Sequence, residues 1–270
     1  MTSRHAEVIA TIADALYDAP GVRALFLSGS HGNGLADAYS DIDFVMVAAD
    51  GPSDAVAELW RDAVARTGEI VLLWDRNVRP ALTNAITADW TRTDVVIVKP
   101  DQVGTQAQDS LKPLFDHDGI FERLPETSPL ARIDPARLRY QIEEFIRIVG
   151  LLHLGIGRKE YLNGVLGLFH LRNLLVDLLI AETDAPDRGG ILHLNRLITD
   201  EQKKLLYSLP PPVPERDALI AAHLAYARAY LPRARRMALA RGVEWPERFE
   251  AATWRMLAEE LSIEPPFAQT

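Results

Sequence analysis

Two aspartates separated by a single residue, Asp41-Ile42-Asp43, follow shortly after a glycine-serine pair, Gly29-Ser30. Residues two apart on a strand project to the same face, so a strand starting here brings both carboxylates together while Ile42 turns toward the core. Such a pair repels itself unless a cation sits between. A hard divalent ion such as magnesium, which takes oxygen ligands and bridges to phosphate oxygens, meets that demand. Upstream, the segment Leu27-Ser28-Gly29-Ser30-His31-Gly32-Asn33-Gly34 leaves an apolar run and enters a short helix. Backbone N–H groups and the Ser30 hydroxyl can there point at a phosphate, and glycine permits its close approach. A third carboxylate, Asp94, heads the run Val95-Val96-Ile97-Val98 and is placed to complete an oxygen site or to act as base on an acceptor hydroxyl. Asp75 and Asp89 flank apolar runs as well, where an aspartate often only solvates a turn.

The elements that must position these groups alternate in the first half of the chain. Helices are predicted over residues 4–18 and 53–66, and strands over 24–27, 44–48, 70–74, 81–87 and 94–98. From Asp134 the pattern changes to long helices, over 135–154, 159–182, 200–208, 215–240 and 246–261, with Asp134-Pro135 as a start signal. The expected fold is α+β: an N-terminal mixed-sheet domain over residues 1–130 followed by a C-terminal helical bundle over 131–270, joined near 125–129. Leu209-Pro210-Pro211-Pro212-Val213-Pro214 reads as a stiff connector between helices.

Composition agrees with two domains. Residues 1–130 carry 10 Lys and Arg against 20 Asp and Glu, whereas 131–270 carry 19 against 18. The net charge of -9 argues against broad affinity for nucleic acid, which needs clustered cations. With no cysteine, disulfides, thiolate metal sites and cysteine nucleophiles are excluded. The first twenty residues lack the continuous apolar run of a signal peptide or spanning helix, so neither export nor membrane insertion is expected and a cytoplasmic protein is the simplest reading.

The Gly-Ser motif, a spacer of ten residues and Asp-Ile-Asp on the next strand resemble the signature of the polymerase-beta-type nucleotidyltransferase superfamily. Element order, length and the helical stretch 145–182, with Gly157-Arg158-Lys159-Glu160-Tyr161, resemble bacterial lincosamide and aminoglycoside nucleotidyltransferases. The resemblance implies that Gly29 and Ser30 hold a nucleoside triphosphate, ATP in the first instance. It further implies that Asp41 and Asp43 ligate Mg2+, that Asp94 is the third acid, and that the acceptor is a hydroxyl of a small molecule such as an antibiotic. Ser40, beside Asp41, is a further candidate nucleotide contact. A homodimer would follow the habit of related enzymes. Two other readings stay open: a nucleotidyltransferase acting on a partner protein, and an inert nucleotide-binding module.

The remaining candidates carry weaker signals. Glu143 or Glu144 could supply the general base instead of Asp94, or be ordinary solvated helical glutamates. Arg158 and Lys159 sit at a predicted helix start, unfavourable for a cation, and so either grip phosphates or form an exposed loop pair. His31 is expected to face solvent, and His153, His170, His193 and His223 lack metal-ligand spacing. Arg228, Arg233, Arg235, Arg236 and Arg241 read as a salt-bridged face, and Trp90, Trp254 and Tyr140 as core or interface aromatics or as stacking platforms.

Overall fold

Short runs of β-branched and aromatic residues build a sheet in the first half of the chain. In the computed structural model, residues 3–76, 81–129, 132–183 and 193–266 are described. The chain divides into two units, Met1–Pro129 and Leu130–Thr270. The first contains α1 (Ser3–Leu16), β1 (Val22–Leu27), the short helix α2 (Gly29–Gly32), β2 (Ile42–Ala48), α3 (Asp54–Ala65), β3 (Ile70–Arg76), β4 (Ala81–Thr87), β5 (Arg92–Val98) and β6 (Lys112–Asp116). The strands form one mixed sheet in the order β3-β4-β5-β2-β1-β6. Only β2 and β5 pair in parallel; the remaining neighbours are antiparallel.

Alternation along the strands sorts the core into two layers. One face, with Leu25, Phe44, Met46, Val95 and Ile97, packs against Val8 and Ile12 of α1 and Trp60 of α3. Trp60 is fully buried with its ring 5.1 Å from that of Phe44, so truncation to alanine should cost about 3–5 kcal/mol. The opposite face, with Phe26, Val45, Val47 and Val98, is covered by Val103, Leu111 and Ile120 from the chain after β5. The odd-numbered β2 positions that face this second layer include Asp43, and the even-numbered β5 positions include Asp94.

Strand β6 had no sequence signal. Its Lys112-Pro113 start reads as loop, and it exists because β1 offers an edge on which a proline without an N–H is tolerated.

The second unit contains α4 (Pro135–Gly157), α5 (Tyr161–Thr183), the short α6 (Leu194–Leu197), α7 (Asp200–Ser208), α8 (Arg216–Arg241) and α9 (Glu247–Leu261). The Asp134 carboxylate accepts from Arg137 N at 3.0 Å and caps α4, with Pro135 in its first turn. Thr199 and Gln202 form a reciprocal capping box on α7. Helix α5 is long and apolar enough to cross a membrane by length and composition. Here its Leu171, Leu175, Leu178 and Leu179 are buried in a core shared with α4, α8 and α9. Phe145 and Tyr230 stack within that core, ring centroids 3.8 Å apart.

Candidate active site

The parallel pairing of β2 with β5 sets Asp43 directly against Asp94. Asp41, just before β2, shares their face, and one carboxylate oxygen from each of the three residues lies within 4.8 Å of the others. Ile42 between them is fully buried on the opposite face. Among the described residues, no lysine or arginine is inserted between the acids as a full counter-ion. Arg92, two residues before Asp94 on the same face, has its Nη1 3.6 Å from Asp41 Oδ2 while its Nη2 donates to Tyr39 O at 3.2 Å.

Electrostatics register this crowding. Burial pushes the Asp43 carboxyl up to about 7, the charges of Asp41 and Asp94 push the same way, and Arg92 pulls back. Asp94 is raised too, by burial first, and a hydrogen bond from the Asn84 side chain opposes the rise. Asn84 stands opposite Asp94 in the β4–β5 register; its own Oδ1 is buried without a partner among the described residues. Three acids thus share a face where at least two resist ionisation, and a divalent cation among them would reverse that preference.

The Gly-Ser turn is fitted against this cluster. Gly29 has φ +54, and a Cβ there would stand 2.1 Å from Asp43 Oδ2, so both backbone conformation and proximity require glycine. Ser28 N donates to Asp43 O at 2.9 Å, tying the turn to β2. Gly32 is required as well, because a Cβ would meet the Ser110 and Leu27 carbonyl oxygens at 2.3 and 2.8 Å. The Ser30 hydroxyl is buried and has no hydrogen-bond partner among the described residues. His31, expected at the surface, is instead only 6% exposed, its ring in edge contact with His5 of α1 at 5.3 Å. Burial lowers the pKa of both rings, which favours their neutral forms under α2.

Other candidates fall elsewhere. Ser40 Oγ donates to Asp37 Oδ1 and accepts from Asp37 N, closing the 37–40 turn ahead of β2. Asp89 solvates the β4–β5 turn through Thr87 and Arg4, and Thr87's hydroxyl holds it down at about 2. Asp75 takes Thr83 Oγ1 at 2.9 Å and pairs with Arg61. Arg158 and Lys159 stand just ahead of α5, which begins at Tyr161, and directly after α4. Arg158 is the C-cap of α4 and Lys159 occupies the following turn at φ 58, so both follow the negative end of α4's dipole, which needs no phosphate to account for a cation.

Within the helical unit Glu143 pairs with Arg139, and Glu144 takes two hydrogen bonds from Arg147. Arg233 pairs with Glu182 and Arg235 with Glu250, as expected of a salt-bridged face. Trp254 is buried in the core, whereas Trp90 and Tyr140 are exposed.

Residues without a sequence signal of their own are Arg92, Asn84 and Gly32. The two-residue spacing that joins Asp41 to Asp43 also joins Arg92 to Asp94, whereas Asn84 could be found only through cross-strand register. A cavity of about 1260 Å3 opens beside the acids, floored by Val45, Val96 and Val98 and bordered by Ser28, Arg76 and Lys99. Its floor continues the same strands two and four residues beyond Asp43 and Asp94, which do not themselves line it.

No family model matches the chain, and no curated protein matches it. Among solved structures it is similar to an aminoglycoside 6-adenyltransferase from Bacillus subtilis, at 12% identity over 95% of this chain and 97% of that one, with a TM-score of 0.42. It is similar to a spectinomycin adenyltransferase from Enterococcus faecialis, solved with ATP and spectinomycin, at 12% identity over 83% of this chain and 98% of that one, TM-score 0.34. A nucleotidyltransferase-like protein from Exiguobacterium sibiricum 255-15 aligns at 12% identity over 96% of this chain and 84% of that one, TM-score 0.38. With TM-scores below 0.5, these likenesses leave the assignment of function to the chemistry of the site.

Proposed function

We propose that this protein is a magnesium-dependent nucleotidyltransferase that moves a nucleoside monophosphate, AMP from ATP, onto a hydroxyl of a small molecule such as an aminoglycoside or lincosamide. The observation that carries this reading is the convergence of Asp41, Asp43 and Asp94, three acids on one sheet face with oxygens within 4.8 Å and, among the described residues, no full counter-ion.

The donor set fits the metal: carboxylate oxygens only, from residues that resist ionisation without a cation. Bound there by Asp41, Asp43 and Asp94, Mg2+ would supply charge neutralisation at the phosphates. Gly29 lets the turn approach closely, and the unpartnered Ser30 hydroxyl donates to a phosphate oxygen. The acceptor oxygen attacks the α-phosphorus, the bond to the bridging oxygen breaks, and pyrophosphate leaves; Asp94 takes the hydroxyl proton. Ser40 contributes by holding the turn that delivers Asp41.

The test is incubation with Mg2+, labelled ATP or GTP, and a panel of aminoglycosides and lincosamides. Pyrophosphate release that depends on a small acceptor, with label recovered on it, is the expected result. Label recovered on protein would replace the small acceptor by a protein one. Failure of every nucleotide to react with any acceptor, or full activity in Asp41→Asn, would overturn the proposal.

A further inference from the structure

The helical unit holds a second cavity, of about 250 Å3, among α4, α5 and α8. It shares no residue with the carboxylate site. Ile148 and Leu152 from α4 and Leu219 from α8 form an apolar part of its wall, with Asn163, Glu144, Arg147 and His170 also lining it. Glycine leaves the space open on α5. At Gly164 a Cβ would strike Leu219 at 2.7 Å, so glycine there serves helix packing. Gly167 is different, because a Cβ would stand 3.8 Å from Ile148 and 3.9 Å from His223 Nε2, ordinary contacts that would fill part of the cavity without strain.

At the inner end stands His223, 2% exposed. Its Nδ1 lies 2.8 Å from Leu219 O, and because a carbonyl only accepts, the proton must be on Nδ1. Burial lowers the pKa of the ring and keeps it neutral. Nε2 is therefore a bare acceptor, and it has no hydrogen bond among the described residues. This acceptor borders the cavity, 3.9 Å from where a Gly167 Cβ would stand, so a ligand inside can supply the donor that the fold does not. The charges at the rim do not compete for that role, since Glu144 is held by both Arg147 nitrogens and stands 3.4 Å from His170 Nε2. Leu151 and Leu166 of its lining are exposed, so an apolar ligand entering here also covers apolar surface.

We infer that this cavity is a binding site for a neutral, ring-sized apolar group carrying one hydroxyl or N–H donor, which is given to His223 Nε2 while the ring lies against Ile148, Leu152 and Leu219. The volume suits one or two fused rings, as a smaller apolar cavity of about 150 Å3 already accommodates benzene.

Indole and benzothiophene, of the same shape but with and without an N–H, serve as probes of the full chain. Titration is followed by the methyl signals of Ile148 and Leu219 and by the 15N shift of His223 Nε2. Saturable binding of both probes is expected, with indole tighter by about fivefold and only indole shifting Nε2 as a hydrogen bond would. His223→Phe should erase the preference while still binding both. Gly167→Leu should abolish binding, and Gly167→Ala, which the packing accepts, should weaken it. The inference is overturned if neither probe saturates those signals, if the two bind equally to the unmodified chain, or if Gly167→Ala leaves both affinities unchanged.

Discussion

Each half of the molecule withdraws a carboxylate from water, Glu250 fully and Asp43 in part, and the two are treated in opposite ways. Glu250 in α9 is 4% exposed and fully partnered: Arg235 pairs with it, Trp245 Nε1 donates at 2.7 Å and Trp254 Nε1 at 3.5 Å. Arg235 in turn lies 4.4 Å from the Trp245 ring centroid, closing a local network. Asp43 on β2 is set among two further acids, with Arg92 reaching only Asp41 among them. A satisfied buried acid holds a fold together, whereas an unsatisfied one is an unfavourable arrangement that persists where something else will bind. Under the proposed function, the contrast sets a structural carboxylate against a metal-binding one.

Neutralising each acid should break that contrast most visibly. Asp43→Asn is expected to lower nucleotidyl transfer by on the order of a thousandfold or more while the metal-free fold is unharmed or stabilised. Glu250→Ala should do the reverse, costing about 3 kcal/mol because Trp245 Nε1 and Arg235 lose their partner in the core, with activity per folded molecule unchanged. Denaturant melts paired with pyrophosphate release decide the matter, and a strongly destabilised Asp43→Asn would mean that Asp43 is structural after all.

A smaller effect follows from pH. An aspartate whose carboxyl is raised to about 7 in the fold, against 3.8 as the reference, binds its proton more tightly folded than unfolded. Stability of the metal-free protein from this group is therefore fully present below about pH 4 and is lost as pH rises toward 7, by at most about 4 kcal/mol. Mg2+ binds the ionised form, so the rise in melting temperature on adding it should grow across the same window. Asp43→Asn should flatten both dependences, while Glu250→Gln leaves them in place.

How much of this was legible in the sequence depends on how far apart the interacting residues lie. Asp41 and Asp43 share a face because strand geometry has a period of two, and the turn at Gly29 is local. Asp94 stands out by heading the apolar run 95–98 and by the resemblance, yet Asp75 and Asp89 flank similar runs; the parallel β2–β5 register, a non-local pairing, is what sets Asp94 against Asp43. His31 is buried because His5 of α1 lies against it, a contact no local pattern encodes. The long helices were legible from their apolar spacing and from caps such as Asp134, whereas β6 depends wholly on the edge that β1 offers.

The smallest expected effect concerns Asn84. It sits opposite Asp94 in the β4–β5 register and its side chain hydrogen-bonds the carboxyl, favouring the charged form against burial. Removing that bond in Asn84→Ala leaves Asp94 still opposite a strand but less willing to ionise. A base that ionises at higher pH shifts the acidic limb of the pH–rate profile upward, so the variant should lose transfer by about tenfold on that limb and recover as pH rises. Loss of the same size at every pH would mean that Asn84 touches substrate through its buried Oδ1 instead of acting through Asp94. No loss at any pH would mean that the proton leaves by another group. The pH dependence, not the size of the defect, tells these roles apart, because a purely structural fault in β4 would move stability and leave the limb in place.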